Sequence, residues 1–395
     1  KTATTEQQLT LLKKMKRYLI LMTAATLVAA CSHDADEVAS DYIPSDNAIA
    51  FDASIGDGPT TRASGEINDD ATLQAVSFGV FGSYTDRLTY ENTTVSSDFM
   101  YNQQVTFANG IWSYSPVKYW PNDERDYVSF FAYAPYVAHP QQNTEGIVDM
   151  SKRDDLGDPW VNYRIAADPW STTVPQVDLL YGQQEQDPDN NKTYTPWLDQ
   201  KKPADPTGGK LTFAFRHALS CIGDEITIKC TGALANLITG YATITITKVQ
   251  IDYKNLTTKG HLVLKSAGDA NWQEIISGEL TTTRTYIKNL DTPVVFDATN
   301  FTDEQTISTG DGLFYIPLRI AGTDAAKAEV TITYTVKNNE NSEYSGTATT
   351  SFDLDMSAEG QKQGIDLLLT DGLDLQHLVY VIGQGATAPS YTRKR

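Results

Sequence analysis

Ile49-Ala50-Phe51-Asp52-Ala53-Ser54-Ile55 places Ile49, Phe51, Ala53 and Ile55 on one phase, with Ala50, Asp52 and Ser54 between them. Successive side chains of an extended chain point to opposite faces, so this period of two predicts a strand with one buried face. The signature recurs at Val76-Phe78-Val80, over 128–133, at Leu211-Phe213-Phe215, Ile226-Ile228 and Val330-Ile332-Tyr334-Val336, and over 378–382. Asn109-Gly110, Thr309-Gly310-Asp311-Gly312 and Lys337-Asn338-Asn339 supply turn chemistry between such runs. In 243–251 the apolar phase changes, Ile244 and Ile246 against Val249 and Ile251, and a bulge near Lys248 would reconcile the two. Beyond Cys31 no stretch keeps a helical apolar period for more than about two turns, 234–238 being the best short helix. Many short strands with frequent turns predict an all-β chain of β-sandwiches.

At 395 residues the chain exceeds what one hydrophobic core usually organises, which predicts two domains. With 40% hydrophobic and 21% charged residues, burying a core is no difficulty and long disorder is not expected. A net charge of −19, with no Lys/Arg stripe after the N-terminal segment, repels a phosphate backbone, so nucleic acid is excluded as a partner. The same acidity keeps a secreted β-protein soluble.

Lys13, Lys14, Lys16 and Arg17 precede an apolar run over 18–30 that ends at Cys31. A basic region, a short hydrophobic region and small residues at the cut make a secretory signal, too short to span a bilayer. Met15 heads this signal better than Lys1 does and is the expected start, with 1–30 as signal peptide and 31–45 as a lipidated tether. Leu27-Val28-Ala29-Ala30-Cys31 resembles a lipobox, which makes Cys31 the acylated anchor; the alternative is an ordinary signal with a fortuitous cysteine. Ser32 argues against retention at the inner membrane, and Asp34, Asp36 and Glu37 are similar to the tag that exports some lipoproteins to the outer face of the outer membrane.

The interval 137–209 is rich in Asp, Asn, Gln and Pro and reads as long ordered loops, with the domain boundary at 203–209. Trp160, Trp170 and Trp197 within it are either a ligand platform or pins that fix loops to a sandwich.

No catalytic residue, metal site or cofactor is expected. His33, His139, His217, His261 and His377 are scattered, without H-E-x-x-H or C-x-x-C spacing. Nucleophile-elbow and phosphate-loop motifs are missing, and Asp187-Pro188-Asp189-Asn190-Asn191 fails as a calcium loop at Lys192 and Leu198. Cys221 and Cys230 form no disulfide framework; they either pair or remain buried thiols.

Ser115-Pro116-Val117-Lys118-Tyr119-Trp120-Pro121 and Val128-Ser129-Phe130-Phe131-Ala132-Tyr133-Ala134-Pro135 together resemble the "YWP … FFAYAP" signature of the fimbrillin family, the subunits of type V pili. Val177-Asp178-Leu179-Leu180-Tyr181-Gly182 and the run 211–219 are similar to its next two landmarks. Read as packing, Tyr119, Trp120, Phe130 and Tyr133 fill the first sandwich, Pro121 and Pro135 end strands, and His217 is a hydrogen-bonded core histidine.

The resemblance implies two transthyretin-like β-sandwich domains in tandem, over 46–206 and 207–395, in a structural or adhesive pilus subunit at the cell surface. Its implied partners are other pilus subunits, the outer membrane through the lipid on Cys31, and a host or bacterial surface receptor. It also implies assembly by strand exchange, in which a cut after an arginine frees the first strand and a neighbour's strand fills the slot. Thr60-Thr61-Arg62-Ala63-Ser64 follows the first strand, so Arg62 and Ala63 flank the expected cut and Ile49, Phe51, Ala53 and Ile55 are the plugs of the removable strand; alternatively Arg62 is a plain loop residue. The C-terminal end departs from the family's shaft subunits, since no tryptophan follows Trp272, which leaves tip, accessory and anchoring roles open. The rival reading is an outer-membrane glycan-binding lipoprotein with Trp160, Trp170 or Trp197 as its platform.

Overall fold

The computed structural model describes residues 47–56, 66–168, 171, 175–186, 191–204, 209–231, 242–274, 283–301, 303–307, 312–318, 324–338, 342–356, 359–370 and 373–378, all within one compact unit. The chain forms β1 (Ala50–Ile55), α1 (Asp70–Val76), β2 (Phe78–Thr85), β3 (Met100–Ala108), β4 (Ile111–Ser113) and β5 (Tyr127–Ala134). There follow β6 (Gly146–Met150), β7 (Trp160–Arg164), β8 (Leu180–Gln186), β9 (Thr193–Thr195), β10 (Trp197–Gln200) and β11 (Lys210–His217). The C-terminal half adds β12 (Ser220–Cys230), β13 (Ala242–Lys254), β14 (Lys259–Val263), β15 (Asn271–Glu274), β16 (Thr283–Phe296), β17 (Gln305–Ile307) and β18 (Leu313–Tyr315). It closes with β19 (Lys327–Asn338), β20 (Glu343–Asp353), β21 (Lys362–Leu369) and β22 (Leu375–Leu378).

Among the described residues nine strands share one sheet, in the order β1-β11-β8-β5-β2-β3-β4, with β9 on β8 and β10 on β5. The other sheets run β17-β12-β21-β22 with β18 on β12, β16-β13-β19-β20, and β15-β14-β7-β6. The nine-stranded sheet buries both faces. Phe51, Phe78, Val80, Phe130, Phe213 and Phe215 form one core with Leu73 of α1. Phe81, Phe131, Tyr133 and Tyr181, on the opposite phase, join Val161, Tyr163, Leu262 and Trp272, and this second core continues into Ile226, Ile251, Ile332 and Ile365.

Local chemistry fixes the elements. The seven-residue α1 is too short to persist alone. It is held by buried Leu73 and a capping box, in which Thr72 N donates to Asp69 Oδ1 at 2.7 Å and Asp69 N to Thr72 Oγ1 at 3.1 Å. Asn109 and Gly110 carry φ of 55° and 81° and join β3 to β4 as the two-residue hairpin their sequence signals. Gly79 stands opposite Tyr133, and a Cβ there would lie 2.4 Å from the ring, so glycine makes room for a side chain that is fully buried. The expected bulge is present: the register of β13 shifts between Ile246 and Lys248 against both β16 and β19, and Ile244, Ile246, Val249 and Ile251 are all buried.

The structure corrects two expectations. First, 137–209 is not a run of loops, because β6 to β10 lie in it. On β7 the inward residues are Val161 and Tyr163, a period of two that the surrounding Pro and Asp residues obscure. Second, Tyr119 is 55% exposed, whereas Trp120, Phe130 and Tyr133 are buried. The extended bridge between Tyr119 and Ala48 puts Tyr119 on the phase opposite to Trp120. Strand pairing also crosses position 206. β11 lies between β1 and β8, and β6 and β7 of the N-terminal half pair with β14 and β15. The two halves are also tied by hydrogen bonds, Gln183 Nε2 donating to Gly268 O at 2.9 Å and Gln176 linking Gly312 O and Phe314 N. The short helix expected at 234–238 lies outside the described residues.

Candidate functional site at the β1 edge

β1 runs parallel to β11 in the register Ala50↔Lys210 through Ile55↔Phe215 and ends the path of its sheet. Its predicted inward phase is the buried one: Ile49, Phe51 and Ala53 are 1%, 3% and 8% exposed, and Ile55 packs half-buried against the same core. Phe51 sits among Tyr114, Phe130 and Phe213, with ring centroids 5.4–5.8 Å apart. Burying an isoleucine or a phenylalanine contributes about 1.5–3 kcal/mol, so these plugs hold the strand as firmly as its ladder does.

In a parallel ladder alternate residues turn both backbone groups to the partner. Gly56 N donates to Phe215 O at 2.8 Å, which puts the backbone groups of the even-numbered residues on the β11 side and turns those of Ile49, Phe51, Ala53 and Ile55 to the outer edge. Local groups satisfy most of that outer edge. Ile49 N donates to Lys118 O at 2.9 Å, and Tyr114 Oη donates to Ile49 O at 2.8 Å. Ala53 N donates to the neighbouring Asp52 carboxylate at 2.9 Å, and Ile55 N to Asp70 of α1 at 2.8 Å. A cleft of about 210 Å³ opens beside this edge, lined by Ile49 to Asp52 on one rim and by Gly110 to Tyr114 on the other.

A fimbrillin-like family model matches residues 61–372. The chain belongs to the fimbrillin-like family. It is 26% identical over 211 residues to the fimbrium subunit Fim1C of Phocaeicola vulgatus, a match covering 52% of this chain and 50% of the relative. The chain thus spans about half the length of that curated relative. A fimbrial protein of known structure from Bacteroides vulgatus shares the fold, with a TM-score of 0.63 at 20% identity over 84% of this chain and 98% of the other.

Of the other residues singled out in this fimbrillin-like chain, Cys31, Arg62, Ala63 and Trp170 lie outside the described residues. Trp160 is half-buried on β7 with its ring 4.7 Å from that of His261, while Trp197 packs on the Phe51 core and donates Nε1 to Thr212 O at 3.1 Å. No ring contact joins these two tryptophans among the described residues. Cys221 and Cys230 are buried thiols, and burial pushes that of Cys230 up to about 12. His217 Nδ1 meets Asp178 Oδ2 at 2.9 Å, and the same carboxylate oxygen accepts from Ile67 N at 3.2 Å. The sequence reading missed Tyr114, Asp52 and Asp70, which take hydrogen bonds along the outer edge of β1. Only Asp70 had a local signal, the helix start Asp69-Asp70-Ala71-Thr72.

Proposed function

We propose that this chain is a structural or adhesive subunit of a cell-surface pilus, exported as a lipoprotein acylated at Cys31 and assembled with other subunits by strand exchange. A cut between Arg62 and Ala63 would sever β1 from the body, and a neighbour's strand would take its place. The single observation carrying this reading is the terminal position of β1 in its sheet: a strand laddered on one side only can be withdrawn without breaking the remaining ladders, and its departure bares both a backbone edge and the pockets of Ile49, Phe51 and Ala53. Family membership and the likeness to fimbrial proteins support it. In this reading the chain is no enzyme, and it is organised as two sandwich domains that share the junction at β11 and β12.

Trypsin-like digestion of the purified protein tests it. Mass spectrometry is expected to find the cut after Arg62, and electron microscopy to find filaments or oligomers afterwards, with Arg62→Ala remaining monomeric. Normal polymerisation of Arg62→Ala would overturn the mechanism. Cys31→Ala is expected to move the protein out of the membrane fraction, and unchanged fractionation would overturn the anchor.

A further inference from the structure

Among the described residues β20 pairs with β19 alone, and its 11 residues form a long strand edge with no built-in guard. Short strands, bulges, prolines and lysines are the usual devices that blunt such an edge. β16, the opposite edge of the same sheet, carries Pro293, Lys288 and a register shift against β13. The edge strands β15, β17 and β22 have only four, three and four residues. β20 has none of these devices, and its middle reads Ser345-Gly346-Thr347-Ala348-Thr349-Thr350-Ser351.

Both ends of the β19–β20 ladder fix which backbone groups face outward. Asn338 N donates to Ser342 O at 3.0 Å and Leu354 N to Ala326 O at 2.9 Å, and the register between these pairs runs without a shift. Bonded pairs alternate in an antiparallel ladder, so the even-numbered residues of β20 bond to β19, and Ser345, Thr347, Thr349 and Ser351 turn N–H and C=O away from it. Those groups meet no partner among the described residues. The four side chains are exposed, and two of them extend hydroxyl pairs from β19, Thr331 with Thr349 at 2.9 Å and Thr335 with Ser345 at 3.2 Å.

This edge suits a second copy of itself. Copies of a chain with a net charge of −19 approach most easily where charge is absent, and the stretch from Ser345 to Ser351 is uncharged. We infer that β20 pairs antiparallel with β20 of a second copy about a two-fold axis at Thr347, joining the two sheets into one. The strand ends select this register. An axis at Ala348 would set Glu343 directly opposite Asp353, whereas an axis at Thr347 sets Thr347 on Thr347, Ser345 on Thr349 and Glu343 on Ser351, which carries the hydroxyl pairs across. It also lays Tyr344, 62% exposed, against the partner's Thr350. A single-strand ladder buries less than the roughly 1,200 Å² of a stable interface, so the chain is monomeric when dilute and pairs where copies are concentrated side by side. The pairing is independent of strand exchange, because β20 stays in the chain whether or not it is cut at Arg62.

Arg62→Ala protein tests the pairing, since a chain that is not cut there adds no oligomers by strand exchange. Sedimentation velocity over a rising concentration series is expected to show a monomer–dimer equilibrium. Added to this background, Thr347→Pro removes an outward N–H and no bond to β19, and Thr347→Lys sets two like charges face to face on the axis. Both are expected to abolish the dimer while thermal unfolding stays near that of the parent. Thr347→Cys puts two Cα atoms about 5.5 Å apart, within disulfide reach, and is expected to give a cross-linked dimer on oxidation that the parent does not form. Monomer at every concentration, or parental dimerisation in the folded Thr347→Lys protein, would overturn the inference. Dimers of the Thr347→Cys protein that resist cross-linking would overturn the register. Failure of the cut at Arg62 would overturn the strand-exchange reading and leave this pairing untouched.

Discussion

Tyr114 holds Ile49 by a hydrogen bond from its hydroxyl to the main-chain carbonyl, 2.8 Å long, across the open side of the first strand. The same oxygen accepts from Lys118 N at 3.2 Å, and the Tyr114 ring packs on Phe51 at 5.4 Å. One side chain thus latches both the backbone and the main plug of β1. Burial pushes the Tyr114 hydroxyl up to about 12, so the latch stays protonated throughout the physiological range.

Tyr114→Phe keeps the ring and removes the latch. Stability is expected to fall by about 1 kcal/mol, the usual net worth of one hydrogen bond, with amide exchange accelerating at Ile49 and Phe51 more than in β11. Hydrogen exchange read by mass spectrometry checks this; uniform acceleration would mean that Tyr114 acts on the whole sheet.

Phe51→Ala empties the pocket between Tyr114, Phe130 and Phe213. The expected cost is about 3–5 kcal/mol, read as a lower denaturation midpoint. In protein cut within 57–65 the same substitution is expected to shorten the retention of β1, which size-exclusion chromatography would register as fragment release.

Gly79→Ala sets a methyl group against the fully buried Tyr133 ring, whose hydroxyl donates to Asn102 Oδ1 at 2.6 Å. Overpacking of this kind costs about 1–3 kcal/mol. Thermal unfolding checks it, and a double variant Gly79→Ala with Tyr133→Phe separates the crowding from the lost hydrogen bond.

Glu359 supplies a pH dependence. Burial, which outweighs its hydrogen bond from Tyr181, raises its carboxyl from 4.5 to about 7, with Asp269 also raising it and Arg216 and Lys265 opposing. The folded state therefore binds the proton more tightly than the unfolded chain does. Stability is expected to decline as pH rises from about 4.5 to about 7, by at most about 3 kcal/mol, and then to level off for this group. Glu359→Gln should flatten that segment of the stability profile in urea titrations at successive pH values; an unchanged slope would assign the dependence elsewhere.

Period-two reasoning located β1, β11, β13 and β19 because each buries one face against a continuous core, and it found the β13 bulge from a change of parity alone. It failed over 137–209 because β6, β7, β9 and β10 are three to five residues long, too brief for alternation to rise above their polar surroundings. Pairing of β7 with β14 brings together residues nearly a hundred positions apart, for which no local signal exists. The plugs of the candidate site were legible for the same reason as the strand. Its outer edge was not: Tyr114, Asp52 and Asp70 act through backbone groups, and hydrogen bonds to the main chain leave no pattern in side-chain type.

The parallel seating of β1 on β11 orders the birth of this fold. A strand at the start of the chain waits for one made long afterwards, so loop-closure entropy makes its docking a late folding step. Until then the folding body carries an unfilled flank, and β1 is the segment of this chain that covers it.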